Sequence, residues 1–309
     1  MFGKYFLSYM PGLQNLLAYD KSWLKHDVKA GLSVAAVALP VAIAYAELAG
    51  VGAIVGLYSC VLPMIAYALF GSSRQLIVGP DATTCAVIAA VVFPLSAGNP
   101  ELHWQLTIVM TLMMGGWCLL ASKFRLGALA DLLSHPILTG LLNGVAVTII
   151  VGQIGKVLGI KLDEAQVIEK IIALPGRISD SHFLTAGISL LTLAILMAIK
   201  TYRSHWPAPL IAIVLTTLLV CGTSAQQYGI ATIGGDGFQP GLPVVHWETF
   251  QPGPMRDLVI PALNLALVSF VSLMLTARSF AAKNGYEINA DAEFRALGIA
   301  NLMAGLSQG

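Results

Sequence analysis

The sequence predicts an all-α polytopic membrane protein in which one helix begins within the apolar layer. Three observations lead there. The 309 residues are 57% hydrophobic and only 11% charged, with a mean hydropathy of +0.78. Apolar windows of about 20 residues, long enough to cross a hydrocarbon core, recur along the chain. Finally, Gly79-Pro80-Asp81-Ala82-Thr83-Thr84 reads as a helix start inside a hydrophobic region, just after a short β-like run at 75–78.

The windows fall at 28–48, 54–71, 103–122, 132–158, 183–200, 207–223 and 257–280. Between the second and third lies a shorter segment, 81–97, which the helix start opens as a half-helix. Pro80 suits a first turn because its missing N–H is not needed there, and Asp81, Thr83 or Thr84 can cap free donors. Such an end attracts anions through exposed N–H groups and the positive end of the macrodipole. Broken helices at membrane depth mark transporters. A ninth segment starts near Asp291 and reaches Gly309 too soon for a normal crossing. Residues 1–27 form an N-terminal segment without a signal-peptide pattern, and 28–309 form the membrane domain. Loops at 161–181 and 222–254 are read as aqueous, and Gly234-Gly235-Asp236-Gly237 as a plain turn, since no Lys-Ser/Thr follows.

With the N-terminus cytoplasmic and the half-helix completing a crossing with the extended run before it, twelve of the seventeen Lys and Arg fall inside. This follows the positive-inside rule and predicts a multi-pass protein of the cytoplasmic membrane. A net charge of +1, with no basic stripe, gives no reason to expect a nucleic-acid partner, and none is expected. Cys60, Cys85, Cys118 and Cys221 lack metal-ligand spacing and read as small packing residues. No metal or cofactor is expected. Gly140, Gly144, Gly152, Gly155 and Gly159 read as packing positions.

Several blocks, in order, resemble the membrane domain of SulP-type inorganic anion (sulfate) permeases: Pro40 through Gly50, Gly56-Leu57-Tyr58, Gly71-Ser72-Ser73-Arg74, Gly79-Pro80, Ala277-Arg278-Ser279-Phe280, and Ala296 through Asn301. The resemblance covers essentially the whole chain. It implies a seven-plus-seven inverted repeat whose third and tenth half-helices face one another across the substrate, followed by a cytoplasmic STAS domain. The chain corresponds to the first half, segments 1–8 and an incomplete 9, and is expected to be truncated before the tenth segment and the STAS domain. A homodimer is the assembly the resemblance implies.

Two carboxylates that proton-coupled members often carry are replaced here by Val41 and Ser272. Asp81 remains as a coupling candidate, either capping its helix or yielding its donors to an anion when neutralised. Glu47, near the outer end of the first span, is a second candidate, with an interfacial or packing role as the alternative. Tyr45 lies four residues after Val41, on the same helix face, and the resemblance places that face on the substrate cavity. Ser269, Ser272 and Thr276 form a polar stripe that either lines the cavity or permits close packing.

The sequence thus predicts no enzyme but a secondary transporter of a sulfate- or bicarbonate-class anion, working by alternating access with a proton or sodium as candidate coupling ion. The expected contacts are Val41, Tyr45, Asp81, Ala82, Thr83, Thr84, Ser272 and Thr276. The alternatives are a passive anion channel of the same fold, a truncated fragment that transports nothing, and, less favoured, a nucleobase permease.

Overall fold

The computed structural model describes residues 9–127, 135–160, 162, 167–203, 206, 208–230 and 255–308, and every regular element among them is helical. In chain order these are α1 (Pro11–Leu17), α2 (Leu24–Ala49), α3 (Ala53–Tyr58), α4 (Leu62–Phe70), α5 (Ala82–Ser96), α6 (Pro100–Lys123), α7 (His135–Leu158), α8 (Val167–Arg177), α9 (Phe183–Tyr202), α10 (Ala208–Gly222), α11 (Met255–Asn284) and α12 (Ala290–Leu306), with short 3-10 turns besides. Among the described residues, Lys21–Ala49, Ala53–Phe70, Pro100–Lys123, Phe183–Tyr202 and Met255–Asn284 are long and apolar enough to cross a membrane. Helices α5 and α10 are apolar but shorter. The chain divides into two units, one of Met1–Val28, Val41–Leu142 and Pro240–Gly309, the other of Lys29–Pro40 and Asn143–Gln239.

Helix α2, whose residues 29–40 belong to the second unit and the rest to the first, runs through Pro40 and stops where Gly50 adopts a φ of +80°, a left-handed cap that glycine takes without strain. The expected span at 54–71 is broken at residues 59–61. Pro63 sits in the first turn of α4, where its missing N–H costs nothing, whereas a continuous helix would need that donor. Helix α5 is likewise short: its 15 residues rise roughly 22 Å, less than the thickness of about 30 Å. The β-like run at 75–78 is non-helical and forms no strand. Pro80 is not in the first turn as expected, because Asp81 is the N-cap and the helix opens at Ala82.

The core of the first unit is packed from α5, α6, α11 and α12, with Met110, Met114, Leu258, Leu265, Phe270 and Phe294 almost wholly buried. The Phe270 and Phe294 rings stack face to face, joining α11 to α12. Helices α6 and α12 cross at two glycines: a Cβ on Gly115 would lie 2.9 Å from the Gly298 carbonyl oxygen, and a Cβ on Gly298 equally close to that of Gly115. The N-terminal segment is part of this unit. Helix α1 packs on α4, where a Cβ on Gly12 would overlap the Ala68 carbonyl, and the Arg295 guanidinium lies 4.9 Å from the centre of the Tyr9 ring.

In the second unit α9 packs on α10, and His182 caps α9 through Thr185 while its own N–H donates to the Leu158 carbonyl. The loop expected at 161–181 contains a helix, α8, whose Ile168 and Ile172 are 68% and 74% exposed. Of the loop expected at 222–254, residues 231–254, including the Gly234–Gly237 turn, lie outside the described residues. Gly155 and Gly159 are close-packed, but a Cβ at Gly140, Gly144 or Gly152 would meet no described neighbour. Cys60, Cys85 and Cys118 are buried as packing residues should be, whereas Cys221 is exposed.

Candidate functional site: a cavity at the start of a short helix

The start of α5 is fixed by its own N-cap. The Asp81 backbone is extended, and its Oδ1 accepts hydrogen bonds from the Thr83 and Thr84 N–H groups at 3.0 Å each. Its Oδ2 accepts from the Thr84 hydroxyl, whose oxygen lies 2.9 Å from Ser269 Oγ on α11. Since the Thr84 proton points to Asp81, Ser269 is the donor in that second bond. A chain of three polar groups therefore joins the helix start to α11.

The approach to this helix is held from behind by Glu293, in the first turn of α12 and fully buried. Its carboxylate accepts from Tyr67 OH at 2.6 Å, from Ser72 N–H at 2.7 Å, from the Ser72 hydroxyl at 2.6 Å and from Ser73 N–H at 3.0 Å. Four donors satisfy a carboxylate that burial would otherwise penalise heavily. They pin the chain where α4 ends and the non-helical approach to α5 begins. At the far end of α5, buried His103 places Nε2 2.8 Å from the Ala49 carbonyl and Nδ1 3.3 Å from Ser96 Oγ. Both ends of α5 are thus tied to neighbouring helices.

Against the start of α5 lies a cavity of about 300 Å³, entirely within the first unit. Asp81, Thr84, Ser269, Ser272 and Thr276 line it, so the start of α5 and the hydroxyl stripe of α11 share one space. Val41, Tyr45, Glu47, Ala82 and Thr83 are not among the lining residues, although Tyr45 packs against the core within electrostatic reach of Asp81. The Thr83 and Thr84 N–H groups, expected to face an anion, are taken by Asp81; the Ala82 N–H is not used by that carboxylate. Thr107 and Thr111 on α6 and Asn301 on α12 also line the cavity. Sequence reasoning missed them, although the four-residue spacing of the two threonines was a readable signal for one face.

Most of these side chains are occupied within the protein. The Thr107, Thr111 and Thr276 hydroxyls donate to the carbonyls of His103, Thr107 and Ser272, and the Asn301 amide donates to that of Leu297. Among the lining residues only Asp81 carries a formal charge. A unit anion about 4 Å from an ionised Asp81 would be repelled by about 4 kcal/mol at an effective dielectric of about 20, roughly a thousandfold in affinity.

A short helix whose start borders a cavity, within a bundle of apolar helices, defines the class: a polytopic, all-helical membrane protein. Residues 24–309 match the sequence description of the sulfate permease family. The chain belongs to the sulfate permease family. It is 39% identical over 302 residues, 97% of its length, to a protein described as a probable sulfate transporter of Mycobacterium tuberculosis, covering 53% of that protein. It is 30% identical over 290 residues, 92% of its length, to the chloroplastic sulfate transporter 4.1 of Arabidopsis thaliana, covering 42% of it. The chain therefore spans about half the length of the curated relatives it matches. Its fold is similar to the transmembrane domain of BicA, a cyanobacterium bicarbonate transporter, at a TM-score of 0.82 and 26% identity, over 94% of this chain and 74% of that one. It is also similar to SLC26A9, at a TM-score of 0.90 and 20% identity, over 99% of this chain and 51% of that one, a likeness of fold alone.

Proposed function

We propose that this chain carries the anion site of a secondary transporter that moves a small inorganic oxyanion, of the sulfate or bicarbonate class, across the cytoplasmic membrane by alternating access. The observation that carries this reading is the cavity at the start of α5, where a helix N-terminus and the hydroxyls of Ser269, Ser272 and Thr276 converge. Family membership and the sulfate and bicarbonate transport named for its relatives support this substrate class.

The anion exchanges part of its hydration shell for the N–H groups at 82–84 and the Ser272 and Thr276 hydroxyls, with Tyr45 completing the site from α2 and Val41 on the same helix face. No lysine or arginine lines the cavity among the described residues. Binding therefore rests on oriented dipoles, which hold an anion without trapping it, as a carrier requires. Alternation consists of movement of the cavity-bearing unit.

Radiolabelled sulfate and bicarbonate uptake into proteoliposomes holding the full protein tests this reading. Saturable uptake of one anion, inhibited by the other and accompanied by exchange, is expected. Non-saturating current would point to a channel, and competition by uracil or xanthine to a nucleobase carrier.

A further inference from the structure

Resting on that reading, we infer that Glu293 is a positioning residue of the anion site: it clasps Ser72 and Ser73 and so fixes one end of the segment 74–80 that walls the cavity.

Residues 72–81 join α4 to α5 without forming a helix or strand, and 76–80 all line the cavity. Leu76 and Val78 pack against the core, but no hydrogen bond between described residues involves 74–80. Apolar contact is non-directional, so the path of this wall is set by the polar anchors at its two ends. At the α5 end Asp81 caps the helix and, through Thr84, is joined to Ser269. At the α4 end Gly71 comes so close to Tyr67 that a Cβ would lie 2.8 Å from its ring. Glu293 then takes hold of the next two residues.

One of its oxygens, Oε1, accepts from the Ser72 N–H, the Ser72 hydroxyl and the Ser73 N–H, while Oε2 accepts from Tyr67 OH. The clasp extends outward: Ser72 Oγ accepts from the Asn289 N–H at 3.3 Å, and Ser73 Oγ lies 3.2 Å from Tyr286 OH. The anchor is rigid, because Glu293 belongs to the first turn of α12, which packs along α6 and α4. Glu293 does not itself line the cavity, so it acts through the two serines. Its role is one of reach more than of charge. Glutamine reaches as far, keeps an oxygen for the serine donors and turns its amide nitrogen to the Tyr67 oxygen. Aspartate keeps the charge but is one methylene shorter, so it cannot hold Tyr67 and both serines at once.

Glu293→Gln and Glu293→Asp are compared with wild type in the full protein, as uptake of radiolabelled sulfate and bicarbonate into proteoliposomes per folded protein. The Asp variant should raise the half-saturating anion concentration about tenfold, the worth of one displaced donor to a charged group, and the Gln variant should stay within about twofold of wild type. A Gln variant impaired as much as Asp overturns the assignment. So does a loss confined to maximal rate or folded yield at unchanged half-saturation, which would leave Glu293 a stabilising residue only. The wall is also read without transport. Ile77, which is 56% exposed, is changed to Cys in a background cleared of other exposed cysteines, Cys221 among them, and its maleimide labelling is timed in detergent. Labelling should quicken in the Asp variant and not in the Gln variant; equal rates in all three overturn the assignment. Where the Asp variant does not fold, Ser72→Ala, which removes one of the three serine donors, should shift both readouts the same way by a smaller factor, and no shift in either overturns it. A wild type that takes up neither anion saturably removes the transport reading, while the labelling rates still decide whether Glu293 fixes the wall.

Discussion

At the scale of single residues, the molecule puts two carboxylates, the buried Glu293 and the half-buried Asp81, to different uses. Glu293 is a structural acceptor: four donors converge on it, and removing it leaves them buried and unmatched. Glu293→Ala should lower stability by about 3 kcal/mol or more, seen as a clear fall in thermal midpoint in detergent, with Glu293→Gln intermediate because it still accepts. Asp81 faces the cavity instead. Among the hydroxyls, Ser272 should matter more to the substrate than Thr276, whose proton is spent on the Ser272 carbonyl. Ser272→Ala should raise the half-saturating anion concentration by about tenfold, the worth of one hydrogen bond to a charged group. Thr276→Ala should change it several-fold less. The capping sequence and the hydroxyl stripe were legible because they are local patterns. The Glu293 and His103 contacts were not, since their partners lie 226 and 54 residues away and nothing local announces them.

At the scale of elements, helix lengths and breaks follow from a few residues. The half-helix α5 was readable because Gly-Pro-Asp followed by hydroxyls is a start signal, although the sequence left open which residue caps it. The break between α3 and α4 was signalled by Pro63 but masked by an unbroken apolar run. Helix α8 was hidden by its charges, yet its isoleucines at 168, 171 and 172 carry the helical period. Adjacent glycines in α6 should respond oppositely to the same change. Gly115→Ala drives a Cβ into the α12 backbone and should cost about 1–3 kcal/mol, whereas a Cβ on Gly116 meets nothing within 4 Å and Gly116→Ala should be neutral or stabilising by up to about 1 kcal/mol. Thermal unfolding of the two variants side by side checks the α6–α12 crossing without reference to activity.

At the scale of the whole molecule, composition and spacing were enough to read an all-helical membrane protein, and the blocks around Pro40, Gly79 and Ala277 were enough to read its family. The cavity itself was only half visible. Its α5 and α11 walls were carried by motifs, whereas Thr107 and Thr111, spaced for one helix face, and Asn301, inside a block that marked the family, enter from helices that nothing local tied to the start of α5. The central claim is that the anion sits at the start of α5. It is tested most directly by determining the structure of the full protein with selenate, a sulfate analogue whose selenium can be located by anomalous scattering. The account predicts a selenium position within hydrogen-bonding reach of the Ala82 N–H and the Ser272 hydroxyl, with the Asp81 carboxylate withdrawn from at least one of its N–H partners. Selenate bound elsewhere in the membrane domain, with Asp81 still capping Thr83 and Thr84, would contradict it.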